Sequence, residues 1–180
     1  MSALPPLSTP LTGIDCEIEE WVLGLVLEPY KPRCRYLQQA RIQAQPSPGP
    51  LAAARGRFAI PESCYIADTG HFNAVEFNIC YNQIAYCLMA ECLHQGLLRA
   101  FAGWDLAQFS RRQLSHFLIV QFQSAFRKPI RTSEFYGQVV FEKLSLRRQT
   151  FFLQTTCRFD DEHGGTAEGG ALIAILTHEG

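Results

Sequence analysis

The stretch that most constrains this chain runs from Asn73 to about Gln95, where apolar residues fall on every side of a helical wheel. A helix of that kind belongs in an interior, so the rest of the chain has to wrap it. Its polar positions that could turn inward are few: Glu76, Asn78, Asn82, Gln83 and Glu91. Just before it lies Tyr65-Ile66-Ala67-Asp68-Thr69-Gly70-His71-Phe72, a short polar loop. Asn73 followed three residues later by Glu76 has the spacing of a capping box, which would fix the helix start. Helix N-termini carry unpaired N–H groups and the positive end of the macrodipole, so this loop sits where developing negative charge is favoured.

The remaining segments read mainly as sheet. Met1 to Thr12, with its prolines, has the composition of a leader, so residues 1–13 are expected to be a flexible leader and 14–180 a single domain. Ile14 to Leu27 shows helical spacing with acidic residues early, and Pro29 stops it. Arg35 to Ala44 and Leu51 to Ile60 read as strands joined at Pro46-Ser47-Pro48-Gly49-Pro50. A short helix is expected over Asp105 to Arg112. Four runs with strand character follow, at about Ser115 to Phe126, Glu134 to Leu146, Thr150 to Phe159 and Thr166 to Thr177. The turns Arg147-Arg148-Gln149 and Asp160-Asp161-Glu162-His163-Gly164-Gly165 make the last three an antiparallel meander. One long buried helix with five or six antiparallel strands is an α+β layout, the hot-dog architecture, in which the sheet wraps the central helix. Its edge strand seeks a partner, so a homodimer is the expected minimum and a higher homo-oligomer is allowed.

Composition narrows the function classes. With 180 residues, 47% hydrophobic residues and a net charge of −1, the chain is neither disordered nor equipped with a nucleic-acid-binding footprint. Thirteen Phe and six Tyr suit a thick core or an apolar tunnel. No signal peptide and no long apolar run opens the chain, so a cytoplasmic protein without membrane insertion is expected. The seven cysteines, at 16, 34, 64, 80, 87, 92 and 157, fit neither a zinc site nor a disulfide framework and read as small buried hydrophobes. Asp160-Asp161-Glu162-His163 reads as a solvated hairpin tip, and no metal or cofactor is expected.

The words Leu-Glu-Pro-Tyr (27 to 30), Cys-Arg-Tyr-Leu (34 to 37) and Thr-Gly-His-Phe-Asn-Ala-Val-Glu (69 to 76) resemble the FcoT-type family of hot-dog enzymes. Tyr81-Asn82-Gln83 and Phe126-Arg127-Lys128-Pro129 support the match, which covers roughly Val26 to Leu176. The family was first described as long-chain acyl-CoA thioesterases. Members in isonitrile-lipopeptide gene clusters are linked to adding glycine to a (2E)-enoyl thioester on an acyl carrier protein. The resemblance implies a pocket holding Tyr30, Tyr65 and Asn73.

Read without the family, Asn73 is an N-cap that can also stand beside a substrate carbonyl. The Tyr65 hydroxyl can hydrogen-bond a thioester oxygen, or the ring can be an interface aromatic with a wet tip. His71 is a proton shuttle or a loop brace, and Glu76 a capping acid or a base. Phe72 and Asn82 are candidate pocket residues, Asn82 needing a hydrogen-bond partner within a buried helix. Arg127 and Lys128 suit the phosphate of a pantetheine arm or a solvated strand end. From the matched Cys-Arg-Tyr-Leu word, the resemblance makes Arg35 a candidate for holding a glycine carboxylate. Polarising the thioester at the helix start would serve conjugate addition of glycine to an enoyl carrier protein. It would serve equally hydrolysis of an acyl-CoA or acyl carrier protein thioester. A non-catalytic acyl-binding protein is the remaining alternative, disfavoured because polar groups buried without use cost free energy.

Overall fold

In a computed structural model the described residues are 14–44, 51–67 and 70–177. The expected leader and the proline-rich turn at 45–50 lie outside them. The elements in chain order are β1 (Ile14–Glu17), α1 (Glu20–Leu27), β2 (Leu37–Ala44), β3 (Ala52–Phe58), α2 (Ala74–His94), α3 (Leu106–Arg112), β4 (Phe117–Lys128), β5 (Phe135–Arg147), β6 (Thr150–Asp160) and β7 (Thr166–Leu176). Single 3-10 turns lie at Pro32–Cys34 and Arg99–Phe101. The strands form one antiparallel sheet in the order β1-β2-β3-β5-β6-β7-β4. The sheet wraps α2, as the apolar circumference of that helix requires.

The helix expected over Ile14 to Leu27 is a strand followed by a shorter helix. Ile14, Asp15, Cys16 and Glu17 pair with Ala44, Gln43, Ile42 and Arg41 of β2. Their exposure alternates with period two, Cys16 inward and the acids outward. The Asp15 carboxylate accepts from Arg41 Nε at 2.6 Å and from Gln43 Nε2 at 3.1 Å. Acidic residues that suit the first turn of a helix equally suit the outer face of an edge strand, and the basic partner on β2 decides between them.

Close approach of sheet and helix depends on missing side chains. Gly137 lies opposite Phe159, and a Cβ at Gly137 would stand 2.4 Å from that ring. Gly56 makes the same kind of room for Leu37 and for Ile84 of α2. The inner face then closes with rings: Phe72 lies 4.8 Å from Phe135 and 5.2 Å from Phe159, and Phe77 lies 4.9 Å from Phe159. Such pairs add about 0.5–1.5 kcal/mol each beyond their burial. All seven cysteines are free, and Cys80, Cys87, Cys92 and Cys157 are buried as apolar filler.

Inward polar groups are tied down. Gln83 donates to the Cys34 carbonyl at 2.6 Å, and its side-chain oxygen accepts from the Tyr36 and Leu37 N–H groups, holding the start of β2 against α2. Tyr81 and Thr155 share a hydrogen bond of 2.7 Å between helix and sheet. The Asp160–Gly165 turn is more than a solvated tip. Asp161 is buried and its carboxylate accepts from the N–H groups of Arg131, His163 and Gly165.

Candidate active site

The site is built where α2 begins. Gly70 has a φ of +70°, a left-handed conformation that glycine adopts without strain. The next residue but one, Phe72, donates its N–H to the Ile130 carbonyl at 3.1 Å and sinks its ring into the aromatic core at 2% exposure. With Phe72 anchored, His71 is left at the surface and Asn73 takes an extended conformation at the helix start. The Asn73 side-chain oxygen accepts from the N–H groups of Val75 and Glu76, so it caps α2 as its sequence position requires.

A recess of about 360 Å³ opens there, lined by His71, Phe72, Asn73, Ala74, Phe126, Arg127, Lys128 and Pro129. Five of the residues singled out from sequence therefore stand together: His71, Phe72, Asn73, Arg127 and Lys128. β4 brings the two cations because its inner face lies along α2, with the Phe126 ring 5.6 Å from that of Phe77. Arg127 is engaged with Glu168 on β7, Nε to Oε1 at 3.0 Å and Nη2 to Oε1 at 2.5 Å.

The other five stand apart from the lining of this recess. Tyr65 is 51% exposed on the loop before α2. Tyr30 is half-buried beside Tyr86 and Cys80, and burial pushes its hydroxyl pKa up, keeping it a neutral donor. Arg35 is a clamp for that tyrosine. Its Nε donates to the Tyr30 carbonyl at 3.0 Å and its Nη2 to the Glu28 carbonyl at 3.1 Å, so the guanidinium holds the turn after α1. Asn82 donates to Asn78 Oδ1 at 2.8 Å, one turn back on the half-exposed side of α2.

Glu76 is 1% exposed and its Oε2 makes no hydrogen bond. It lies beside Tyr36 and Cys80, and Tyr36 is pushed up in pKa by burial and by the neighbouring Cys64. The Ser63 hydroxyl, in the same loop, is also buried without a partner. Tyr36 thus belongs to the surroundings of Glu76, a role its place in the Cys-Arg-Tyr-Leu word did not disclose. The 59–67 loop packs against Tyr36 just ahead of β2, with Tyr36 Oη donating to the Glu62 carbonyl at 3.3 Å. Among the described residues no His, Cys, Asp and Glu cluster could hold a metal ion.

A single antiparallel sheet curled around a long helix, with a recess at the helix start, defines a hot-dog protein. Zebra fish thioesterase superfamily member 2 shares this fold, with a TM-score of 0.50 over 87% of this chain and 94% of that one at 8% identity. The chain belongs to the FcoT-like thioesterase domain family, whose domain it matches over residues 25–175. A (2E)-enoyl-ACP glycyltransferase of Streptomyces coeruleorubidus is 39% identical over 163 residues, 88% of this chain and 97% of the relative. The (2E)-enoyl-ACP glycyltransferase of Mycobacterium tuberculosis (strain ATCC 25618 / H37Rv) is 39% identical over 88% of this chain and 87% of the relative. That of Mycobacterium marinum is 37% identical.

Proposed function

We propose that this protein adds glycine to a (2E)-enoyl group carried as a thioester on an acyl carrier protein. The observation that carries the reading is the recess at the start of α2, where a capped helix N-terminus, His71 and two cations meet beside an aromatic wall. Relatives named for this activity, at 39% identity over most of the chain, support it.

The thioester carbonyl lies against the helix start, where the macrodipole favours the negative charge that grows on its oxygen. Withdrawal of electrons makes the β-carbon electrophilic. The glycine nitrogen forms a bond to that carbon, the C=C pair moves to the enolate, and a base takes the proton released by the ammonium. Return of a proton to the α-carbon completes an addition in which nothing is lost. His71 is the base at the recess. Glu76, on the other flank of α2, is the second candidate, its bare Oε2 suited to an ammonium. Tyr65 and Tyr30, which do not line the recess, are further candidate hydroxyl donors to the substrate, and Arg127 and Lys128 meet the phosphate of the pantetheine arm. The acid–base and electrostatic steps use no metal or organic cofactor.

The working unit is a homodimer or a larger homo-oligomer. β4 is an edge strand with Leu118, Ile119, Val120 and Phe126 between 40% and 56% exposed, an apolar edge that calls for pairing. Light scattering checks this: a monomer at micromolar concentration counts against it. No helix among the described residues is long and apolar enough to cross a membrane, and the proposed setting is the cytoplasm, in an isonitrile lipopeptide pathway. An acyl-ACP ligase and a non-haem iron oxidase encoded nearby would support that pathway.

Intact-mass analysis of a crotonyl carrier protein with and without glycine tests the reaction. The expected product is the β-(carboxymethylamino)acyl adduct. An unmodified enoyl carrier, with rapid release of free acid from a saturated acyl-CoA, would make the protein a thioesterase, the activity for which its domain family is described.

A further inference from the structure

The face of the sheet turned away from α2 carries two depressions, of about 570 and 610 Å³. They share Gln123 and Thr156, so they form one groove across β5, β6, β7 and β4. Its floor is low at Gly170, where an added Cβ would stand 2.4 Å from the Thr155 carbonyl oxygen. Register places Val140, Thr156, Gly170 and Gln123 in one row across it, and Lys143, Gln154, Leu172 and Gln121 in the next but one. One end is lined by Arg127, which also lines the recess at the start of α2. The groove therefore runs from the mouth of the proposed active site over the back of the sheet.

Its charge is one-sided although the whole chain has a net charge of −1. Of the carboxylates on this face, Glu168 is paired by Arg127 and Asp160 by Arg55 at 3.1 Å, while Glu142, which accepts from the Thr156 hydroxyl at 2.6 Å, keeps its charge and is outnumbered by Lys143, Arg147 and Arg158. At the end away from the recess stand Lys143 and Arg147. Among the described residues no carboxylate pairs with either, and Arg147 lies over the Phe152 ring at 6.0 Å. From Gln121, in the row of Lys143, to Arg127 is six residues of strand, about 20 Å at ~3.3 Å per residue. Gln121, Gln123, Gln154 and Thr156 offer donors and acceptors along that path for the polar surface of a protein partner.

We propose that this groove docks the acyl carrier protein, with the carrier's acidic surface lying along the groove onto Lys143 and Arg147 and the phosphate of its pantetheine arm at Arg127 and Lys128, from which the arm enters the recess. The assignment rests on the proposed carrier-bound substrate. An anionic partner fits better than a second copy of the chain, because a two-fold contact through this face would bring together two faces of the same charge.

The test compares two substrates in the full-length enzyme: a crotonyl carrier protein, and crotonyl N-acetylcysteamine thioester, which has no carrier. In the Lys143→Glu/Arg147→Glu variant the KM for the carrier substrate should rise on the order of 10-fold, since charges of this kind act on encounter. The KM for the small thioester should stay within about twofold, which also shows that the variant folds. Raising salt with the wild-type enzyme should weaken turnover of the carrier substrate selectively. An unchanged carrier KM overturns the proposal, as does an equal shift for both substrates. A changed solution mass with an unchanged carrier KM would make the face a contact between copies instead. Failure of the functional reading is separate: the wild-type enzyme would then form no glycine adduct from either thioester.

Discussion

The two faces of the sheet are made from the same strands and differ in almost everything else. On β6, Leu153, Thr155, Cys157 and Phe159 are buried against α2, while Gln154, Thr156 and Arg158, the residues between them, are exposed. The inner face holds its shape by volume: rings fill the gaps that Gly56 and Gly137 leave. The outer face holds no comparable packing and is written in amides and charges. A substitution on the inner face should therefore register as lost folding, and one on the outer face as lost recognition.

The largest effect is expected on the inner side. Phe159 touches Phe58, Phe72, Phe77 and Phe135 and is fully buried. Phe159→Ala should destabilise the fold by about 3–5 kcal/mol, measured by denaturant unfolding. A loss below about 1 kcal/mol would mean that this face is loosely packed, unlike a native interior.

At the seam between the faces, His71→Ala should lower glycine addition on the order of 10²-fold with the melting temperature unchanged, because the side chain is exposed. Glu76→Gln, run beside it, sharpens the choice of base. If only Glu76→Gln abolishes turnover, the proton goes to the flank of α2 that holds Tyr36 and Cys80. Tyr65→Phe should reduce turnover while leaving stability intact, since a single exposed hydroxyl is removed.

Asp161 links the β6–β7 hairpin to the segment that holds Phe72. Burial alone would push its pKa up, but the three N–H donors of Arg131, Gly165 and His163 outweigh it and hold the carboxyl below its usual 3.8. A folded-state pKa below the unfolded one gives stability that is present at neutral pH and lost as the pH falls through the folded value. Asp161→Asn should destabilise by about 1–3 kcal/mol at pH 7, and the gap from wild type should close below about pH 4. A gap that does not change with pH would show that shape, not charge, holds this turn.

The smallest effect belongs to the outer face. Gln154→Ala should change stability by less than about 0.5 kcal/mol, whereas Leu153→Ala, one residue away and facing α2, should cost about 2–5 kcal/mol. Equal losses at the two positions would erase the distinction between the faces.

Local pattern made several features legible in the sequence. The apolar circumference of α2 demanded a wrapping sheet, Asn73 stood where a cap must stand, and the alternation along β6 showed which of its residues turn inward. Even β1 carried its period of two, but four residues with acids at alternate places suit a helix start as well, and Arg41 on β2 resolved them. Tertiary structure alone decided which distant segments converge. Sequence proximity could not disclose that Phe126 and Lys128 border His71, that Arg35 clamps Tyr30, or that Tyr36 lies beside Glu76. The physical reason is one of range. Caps, helical faces and strand alternation depend on neighbours a few residues apart, whereas the recess and the groove depend on sheet register and on loops packing across the fold.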